Sequence, residues 1–245
     1  MSRITEILRY PLKAHGRERI AEVTLEAGNA MPWDRVWAVT HEATRHAEGW
    51  LRCSNFTRAA KAPQIMAITA ELSEDTGALT LRHPQRPNLT FQPDHDTEAF
   101  LEWVRPLVPA DRAASNGILR LDGRGYTDSD FPSVSLSSLA SHAAVEQQLG
   151  QSLSHHRWRS NFWLEGLSAW EEFDLVGKRV SVGGAVLEVR ERITRCRATT
   201  ANPDTGQRDA DTLGALDQFG HQEFGVCACV LQGGVVRTGD RLEVL

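Results

Sequence analysis

The densest group of chemically useful residues in the chain is the segment RCRATTANPDTG at residues 195–206. Cys196 stands between two arginines, and positive charge beside a thiol favours the thiolate, which is both a nucleophile and a metal ligand. Thr199 and Thr200 add hydroxyls, and the Asn-Pro-Asp-Thr-Gly run that follows is a strong turn signal. The segment therefore predicts a reactive or metal-binding cysteine. The alternative is a small buried thiol whose neighbouring arginines face solvent.

Composition excludes several classes of protein. The 245 residues carry a formal net charge of −5 without Lys/Arg clusters, which gives no electrostatic footprint for a nucleic-acid partner. No stretch approaches the roughly 18 to 20 apolar residues of a membrane span, and the N-terminus lacks the apolar core of a signal peptide. We therefore expect no membrane partner and a cytoplasmic location. The 4 unevenly spaced cysteines are too few for a disulfide framework and are expected to be free thiols.

The elements that must position the cysteine segment are mainly strands. Alternating apolar residues predict strands at residues 4–10, 20–25, 33–39, 65–72 and 78–82, and again within residues 176–245. Helical spacing predicts helices at residues 96–108 and 135–149. The polar segment 110–130 is the best candidate for a boundary between two halves. The predicted fold class is mostly β with flanking helices (α+β).

Five motifs in a fixed order then suggest a family. The cysteine segment resembles the signature of the MOSC superfamily, the module related to the C-terminal domain of molybdenum cofactor sulfurase. Four other segments are similar to family motifs: YPLKAHG at 10–16, WDRVWAV at 33–39, RSNF at 159–162 and GD at 239–240. The resemblance covers almost the whole chain. It implies an N-terminal MOSC-associated β-barrel domain at residues 1–110, followed by a MOSC β-barrel domain at residues 111–245.

The resemblance also implies a ligand, the molybdenum cofactor (Mo-molybdopterin). In relatives such as the mitochondrial amidoxime-reducing component, the motif cysteine binds molybdenum, which assigns Cys196 here as metal ligand and catalytic residue. A soft thiolate suits a molybdenum ion that already has dithiolene sulfur ligands. By the same resemblance, Thr199 and Thr200 either line the cofactor or orient the cysteine loop.

The phosphate of the pterin calls for cations and hydrogen-bond donors. The resemblance places Lys13 and Arg35 against the cofactor, one as a point charge and the other as a planar fork. It places Arg159 at the phosphate, and Asn161 at the hydrogen-bonding edge of the pterin or in control of loop shape. Ser137, expected near the start of the middle helix, is assigned to the same anion together with the helix amides.

Ordinary alternatives stand beside these assignments. Lys13 could be a solvated loop lysine, and Asp34 and Arg35 could form a surface ion pair between two buried tryptophans. Arg197 stands where the family pattern leads us to expect an apolar residue. That departure suggests an anionic substrate or a sulfur-carrying role.

Two other clusters contain ligand-type residues. Cys227 and Cys229 are expected to point to the same face of a strand, and with Cys196 they could form a three-sulfur metal site. His155 and His156 show no ligand spacing with a carboxylate partner, so we expect them to pack or cap.

The resemblance implies an enzyme, a molybdenum-dependent reductase of small N-hydroxylated compounds. The [2Fe–2S] domain fused to some bacterial relatives is not expected, because no cysteine run precedes Leu245. Electrons are therefore expected from a separate protein of ferredoxin, flavodoxin or cytochrome b5 type. The alternative is a non-redox carrier, in which Cys196 holds a persulfide or presents the cofactor to a client enzyme. A purely structural β-barrel partner is a third possibility.

Overall fold

The structure, a computed structural model, describes residues 2–245 and consists mainly of β-strands. The strands are β1 (Ser2–Arg9), β2 (Leu12–Lys13), β3 (Glu18–Ile20), β4 (Glu22–Leu25), β5 (Trp37–His41), β6 (Thr69–Ser73), β7 (Ala78–His83), β8 (Arg86–Phe91), β9 (Ser115–Arg120), β10 (Val134–Ser138), β11 (Phe162–Glu165), β12 (Arg179–Val182), β13 (Ala185–Thr194), β14 (Glu223–Gln232), β15 (Gly234–Arg237) and β16 (Arg241–Val244). The α-helices are α1 (Thr97–Val104), α2 (Leu139–Leu149) and α3 (Thr212–Gln218). The predicted fold class, mostly β with flanking helices, is confirmed.

Seven of these strands close into a β-barrel. They pair in the order β11, β10, β14, β13, β12, β16 and β1, and β1 then pairs back with β11. The first strand of the chain thus completes a barrel whose other strands all lie beyond residue 133. Closure leaves no free sheet edge. Buried apolar side chains such as Ile4, Leu136 and Val189 fill the interior.

The remaining strands form smaller sheets. β3 pairs with β1 at the barrel, and β4 pairs with β15. Two three-stranded sheets, β2-β5-β9 and β6-β7-β8, lie over a second hydrophobic core that includes Trp37, Leu79 and Phe100. This second core supports β2 and the segment before β5, which carry two of the cations expected in the site. Among residues 2–245 no helix combines the length and the apolarity that a bilayer crossing requires.

The middle helix begins later than the sequence pattern predicts. Val134–Ser138 form strand β10, which pairs with β14 and β11, so only the second part of segment 135–149 is helical. Ser138 ends the strand and caps α2, because its hydroxyl oxygen accepts a hydrogen bond from the Ala140 amide at 3.1 Å. Gly150 ends the helix in the left-handed conformation, with φ of 65°.

Two other predicted segments also differ from the structure. The segment 110–130 contains strand β9, which pairs with β5 and places Leu119 opposite Ala38. Its sequence, SNGILR, has too few alternating apolar residues to reveal a strand, and the pairing with β5 determines its conformation. The strand predicted at 33–39 begins only at residue 37, because Trp33 and Arg35 have φ of 63° and 55°, which a strand cannot contain.

The strand predicted at 65–72 begins only at Thr69, because residues Pro63–Ala67 form a 3-10 helix with Pro63 at its start. The strand predicted at 20–25 is divided between β3 and β4. Most of the other predicted elements agree with the structure. The helix expected at 96–108 is α1 followed by a 3-10 turn at Arg105–Leu107. Among the strands predicted within residues 176–245, the two arms around Gly183 and Gly184 form the β12–β13 hairpin. Further strands follow to the end of the described chain.

Candidate functional site

The cysteine loop follows β13 and holds its thiol at the surface. Cys196 is exposed and stands at the N-terminus of the 3-10 turn Arg197–Thr200. Thr199 donates two hydrogen bonds to the Cys196 carbonyl oxygen, from its amide and its hydroxyl, each 3.2 Å long. The Thr200 hydroxyl donates to the Arg197 carbonyl oxygen at 2.9 Å. Both threonine hydroxyls are therefore engaged inside the loop and fix its shape.

A buried arginine supports the loop from below. Arg157 is only 1% exposed, and its guanidinium donates to the Thr199 carbonyl oxygen at 3.1 Å. It also donates twice to one carboxylate oxygen of Asp209, each time at 3.2 Å. Asn202 donates to the other oxygen of the same carboxylate at 2.6 Å. The loop is thereby attached to the body of the protein through charge-assisted hydrogen bonds.

A cavity of about 270 Å³ opens beside this loop. Thr194 and Arg195, directly before the cysteine, are part of its wall, whereas Cys196 lies just outside the lining. The charged side chains around the cavity are those of Arg35, Arg159, Arg192, Arg195, Asp128 and Glu191. Arginines outnumber carboxylates by four to two, so the cavity favours an anionic ligand.

Within residues 2–245, Arg35 is the one of these four arginines with a carboxylate partner; Arg192 is exposed, whereas Arg159 and Arg195 are half-buried. Arg159 uses one N–H group, in a 3.3 Å bond to the Gly16 carbonyl oxygen, and stacks over the Tyr10 ring at 4.2 Å from its centroid. Arg195 donates to the carbonyl oxygens of Trp158 and Phe224 at 2.6 to 2.9 Å. Burial lowers the pKa of each arginine to about 10, so both remain charged at neutral pH. Both guanidiniums keep unused donors.

Lys13 and Arg35, the other cations predicted for the site, already have carboxylate partners. Arg35 forms an ion pair with the buried Asp34 and donates to the Arg159 carbonyl oxygen at 3.0 Å. Lys13 is 5% exposed, and its ammonium donates to the Tyr126 carbonyl oxygen at 2.6 Å and to Asp128 at 2.7 Å. Lys13 is therefore not a solvated loop lysine. It lies behind Asp128, which separates it from the cavity.

Asp128 is the carboxylate at the centre of this charge cluster. Its side chain is 69% exposed, so the desolvation that raises its pKa is limited, and Lys13 first, then Arg35 and Arg159, hold the pKa below its usual range. The group is therefore ionised at neutral pH. It serves as a charge partner and is not a proton donor under those conditions.

Irregular backbone concentrates the arginines here. Arg35 and Arg159 both have positive φ, 55° and 53°, a conformation that costs a side-chain-bearing residue about 1–3 kcal/mol and is common at functional sites. β13 shifts register against β14 three times, and two of these shifts, between Val189 and Glu191 and between Arg192 and Thr194, lie beside the cavity. Such bulges redirect side chains. They explain how consecutive residues of one strand all line the same cavity.

Ser137 lies on β10 and has an unused hydroxyl. It is fully buried, and its Oγ has no hydrogen-bond partner within residues 2–245. Ser135 lines the cavity, and residues two apart on a strand share a face, so Ser137 is the next residue on the cavity side. A Cβ at Gly225 would lie 2.3 Å from this Oγ and 3.4 Å from an Arg195 nitrogen, so only glycine leaves room there.

The side chain of Asn161 connects two strands at the cavity wall. Its side-chain oxygen accepts from the amide and the hydroxyl of Ser135, at 3.1 and 2.8 Å. Its side-chain nitrogen donates to the Leu8 carbonyl oxygen at 3.1 Å and approaches the Met31 sulfur at 3.8 Å. The side chain thus joins β1 to β10 and has no capacity left for a ligand.

The other cysteines do not join Cys196 in one cluster. Within residues 2–245, no group of three ligand-type side chains includes these thiols. Cys227 instead lines the cavity, where burial raises the pKa of its thiol to about 11 and keeps it protonated. The prediction that Cys196, Cys227 and Cys229 form a three-sulfur metal site is therefore wrong.

Two family models account for most of the chain. The MOSC N-terminal beta barrel domain matches residues 1–106, and the MOSC domain matches residues 126–243. The chain belongs to the MOSC family. The second match contains the cysteine loop and most of the cavity, and the first contains Lys13 and Arg35.

Solved structures are similar to this MOSC chain to different extents. The YuaD protein from Bacillus subtilis is 13% identical with a TM-score of 0.51, over 100% of this chain and 96% of that one. YiiM from Geobacillus stearothermophilus is 22% identical with a TM-score of 0.36, over 46% of this chain and 53% of that one. The similarity to YuaD shows the fold alone. No curated protein matches the sequence.

Sequence reasoning missed several residues of the MOSC cavity. Arg195 was considered only as a neighbour of the thiol, although it is the cavity cation nearest to Cys196 in the chain. Tyr10 appeared only within a motif, yet its buried ring lies under two arginines. Asp128 was placed in a linker, and Cys227 was considered only as a metal ligand. The RCR and YPLK motifs could have identified the first two.

Proposed function

We propose that this MOSC protein binds the molybdenum cofactor and reduces N-hydroxylated compounds with electrons from a separate donor protein. The observation that carries the proposal is the cavity beside Cys196. Arg159 and Arg195, two half-buried arginines without carboxylate partners within residues 2–245, face the same space as a serine-lined strand. Leaving such cations unpaired is costly unless a ligand anion compensates them.

The residues present fit the cofactor. Arg159 and Arg195 have unused N–H donors for its phosphate, and the Ser137 hydroxyl is a buried donor without a partner. Arg35 holds the Arg159 backbone in place, and Lys13 holds Asp128. The soft thiolate of Cys196 would be the protein ligand to molybdenum.

The chain's own residues would bind, orient and balance charge. When bound, the cofactor supplies the two-electron chemistry that removes oxygen from an N–O bond. The substrate's hydroxyl oxygen leaves as water, and the reaction takes up two electrons and two protons. Asp128 is ionised and Cys227 is a protonated but weakly acidic thiol, so neither is a suitable proton donor at neutral pH. The open cavity lets protons come from solvent.

The test is reduction of an aromatic amidoxime to the amidine by the cofactor-loaded protein, with reduced methyl viologen as electron source. Wild type is expected to turn over, and Cys196→Ser is expected to lose nearly all activity. Cys229→Ser is the matched control, because Cys229 is a free thiol on β14 outside the cavity lining. Loaded wild type without turnover would contradict the reductase proposal.

The exposure of Cys196 favours a second candidate function. A thiol at the surface, just outside the cavity lining, is accessible to a client protein, as a sulfur or cofactor carrier requires. In that case the chain would carry a persulfide on Cys196 after incubation with a cysteine desulfurase and cysteine. Peptide mass spectrometry would detect the added sulfur, and the reductase assay would stay negative.

A further inference from the structure

A second cluster of ligand-type side chains lies apart from the cysteine loop. Glu6 of β1 meets His155 and His156, which belong to the 3-10 turn His155–Trp158 before β11. One ligand atom from each residue lies within 4.8 Å of the others. The expectation that these histidines have no carboxylate partner is wrong. The partner lies 149 residues before His155 in the chain and is brought to the histidines by the closure of the barrel.

A β-bulge turns Glu6 toward the histidines. β1 pairs with β11 in a register that shifts between Ile4 and Glu6. In a regular strand these two side chains would share a face. Here Ile4 and Ile7 both lie in the barrel core, so Glu6 faces the other side. Bulges that redirect one side chain in this way recur beside functional sites.

The distances suit a shared metal ion. One carboxylate oxygen of Glu6 lies 2.7 Å from His155 Nε2 and 3.1 Å from His156 Nε2, and the other oxygen lies 3.3 Å from His156 Nε2. In a tetrahedral site with metal–ligand distances of about 2.0–2.2 Å, the ligand atoms lie about 3.3–3.6 Å apart, so small side-chain adjustments would make room for an ion. Two imidazoles that are adjacent in sequence thus direct their Nε2 atoms at one carboxylate.

The negative charge of Glu6 and the partial exposure of the two histidines also favour the binding of a cation. Burial raises the pKa of Glu6, but the hydrogen bonds from His155 and His156 lower it well below its usual range, so the carboxylate is ionised. The histidine side chains are 30% and 25% exposed, which leaves an entry path and room for water ligands. Arg19 approaches Glu6 at 3.5 Å, but its side chain is mostly exposed and free to move away.

We propose that Glu6, His155 and His156 form a binding site for a divalent transition-metal ion, with Zn²⁺ as the best match. Two imidazoles and one carboxylate are a common ligand set for Zn²⁺, which keeps its remaining position for water. The ion would fasten β1 to the turn that carries Arg157 and leads into Arg159. The site would therefore stabilise the part of the fold that supports the cysteine loop and the anion cavity.

The test is calorimetric titration of Zn²⁺ into the untagged, chelator-treated full chain carrying Cys196→Ala, which removes the exposed competing thiol. We expect about one Zn²⁺ per chain, and an affinity at least about tenfold lower in Glu6→Gln and in His156→Gln. His95→Gln, the matched control, removes an exposed histidine and should leave the affinity unchanged. The same affinity in Glu6→Gln, or no binding at all, would overturn the proposal.

A second measurement does not depend on the folding of the variants. Diethyl pyrocarbonate modifies accessible imidazoles, and peptide mass spectrometry locates the modified residues. In the unsubstituted chain, Zn²⁺ should protect His155 and His156 and leave His95 reactive. Equal modification of His155 and His156 with and without Zn²⁺ would overturn the proposal independently of any result at Cys196.

Discussion

Arg35 donates a hydrogen bond to the backbone carbonyl oxygen of Arg159, 3.0 Å away. Both residues have positive φ, and both guanidiniums lie over the ring of Tyr10, at 4.9 and 4.2 Å from its centroid. The bond joins the segment before β5 to the turn before β11, so the two halves of the chain build one wall of the cavity together. Strained backbone at both arginines and the unpaired charge of Arg159 support the proposal that this wall binds a ligand.

Replacing the unpaired cation should have opposite effects on binding and stability. In Arg159→Gln we expect cofactor content after purification to fall about tenfold, because a charge-assisted contact to phosphate is lost. The free energy of unfolding of the cofactor-free protein should stay the same or rise by about 1 kcal/mol, because a half-buried charge without a carboxylate partner is removed. Metal analysis and urea denaturation measure the two quantities. A large loss of stability would mean that Arg159 has mainly a structural role.

Two buried serines allow a matched comparison. Ser137 Oγ has no partner, whereas the Ser141 hydroxyl donates to Glu172 at 2.7 Å and accepts from the Trp170 amide at 2.8 Å. We expect Ser141→Ala to lower the free energy of unfolding by about 1–3 kcal/mol, and Ser137→Ala to change it by less than about 0.5 kcal/mol. Only Ser137→Ala should reduce cofactor retention. Equal retention in Ser137→Ala and wild type would remove Ser137 from the site.

His15 should make stability depend on pH. Burial lowers the pKa of His15 to about 4, with Arg159 adding to the effect and the hydrogen bond to the Lys13 carbonyl oxygen opposing it. The unfolded chain takes up this proton near pH 6.5, before the folded chain does. The stabilisation is therefore complete above pH 6.5 and is lost as pH falls toward 4, by about 3 kcal/mol in all.

Denaturation at several pH values tests this linkage. His15→Asn keeps a donor for the Lys13 carbonyl oxygen but cannot take up a proton, so its stability should fall less steeply between pH 6.5 and 4. His95→Asn, at an exposed position, should keep the wild-type slope. Identical slopes in His15→Asn and wild type would show that His15 does not cause the dependence.

Arg157 should be the main support of the cysteine loop. Arg157→Met leaves Asp209 without its buried partner and the Thr199 carbonyl oxygen without a donor, so we expect a loss of about 2–4 kcal/mol in the free energy of unfolding. Arg82→Met, which removes an exposed pair with Glu71, should cost less than about 1 kcal/mol. Urea denaturation compares the two variants. Equally small losses of unfolding free energy in Arg157→Met and Arg82→Met would contradict the role of Arg157 as a support of the cysteine loop.

The sequence predicted those parts of the fold that depend on local patterns. The β12–β13 hairpin has a Gly-Gly turn between alternating arms, and α1 has apolar spacing and a proline after it, so both were recognisable. Strand β9 and the late start of α2 depend on pairing with distant strands, which periodicity does not report. The same limit applies to β1, whose barrel partners lie more than 150 residues away.

Motifs name residue types for the candidate site, while the roles of those residues depend on geometry. Motif resemblance identified Cys196 and Arg159, but not that Asn161 is fully occupied between two strands. It also did not reveal that Lys13 acts through Asp128. The positive φ angles of Arg35 and Arg159 cannot be predicted from a single sequence, because residues other than glycine seldom adopt them. The cluster of Glu6, His155 and His156 was not predicted, because a β-bulge and the closure of the barrel bring these residues together.

In the proposed function, Cys196 and the cavity beside it hold the molybdenum cofactor. The most direct test is to measure molybdenum and pterin in protein made by a host that synthesises the cofactor. Wild type and the Cys229→Ala control should each contain about one molybdenum and one pterin per chain, and Cys196→Ala should lose the molybdenum. Wild type with neither, or Cys196→Ala with undiminished molybdenum, would contradict the account.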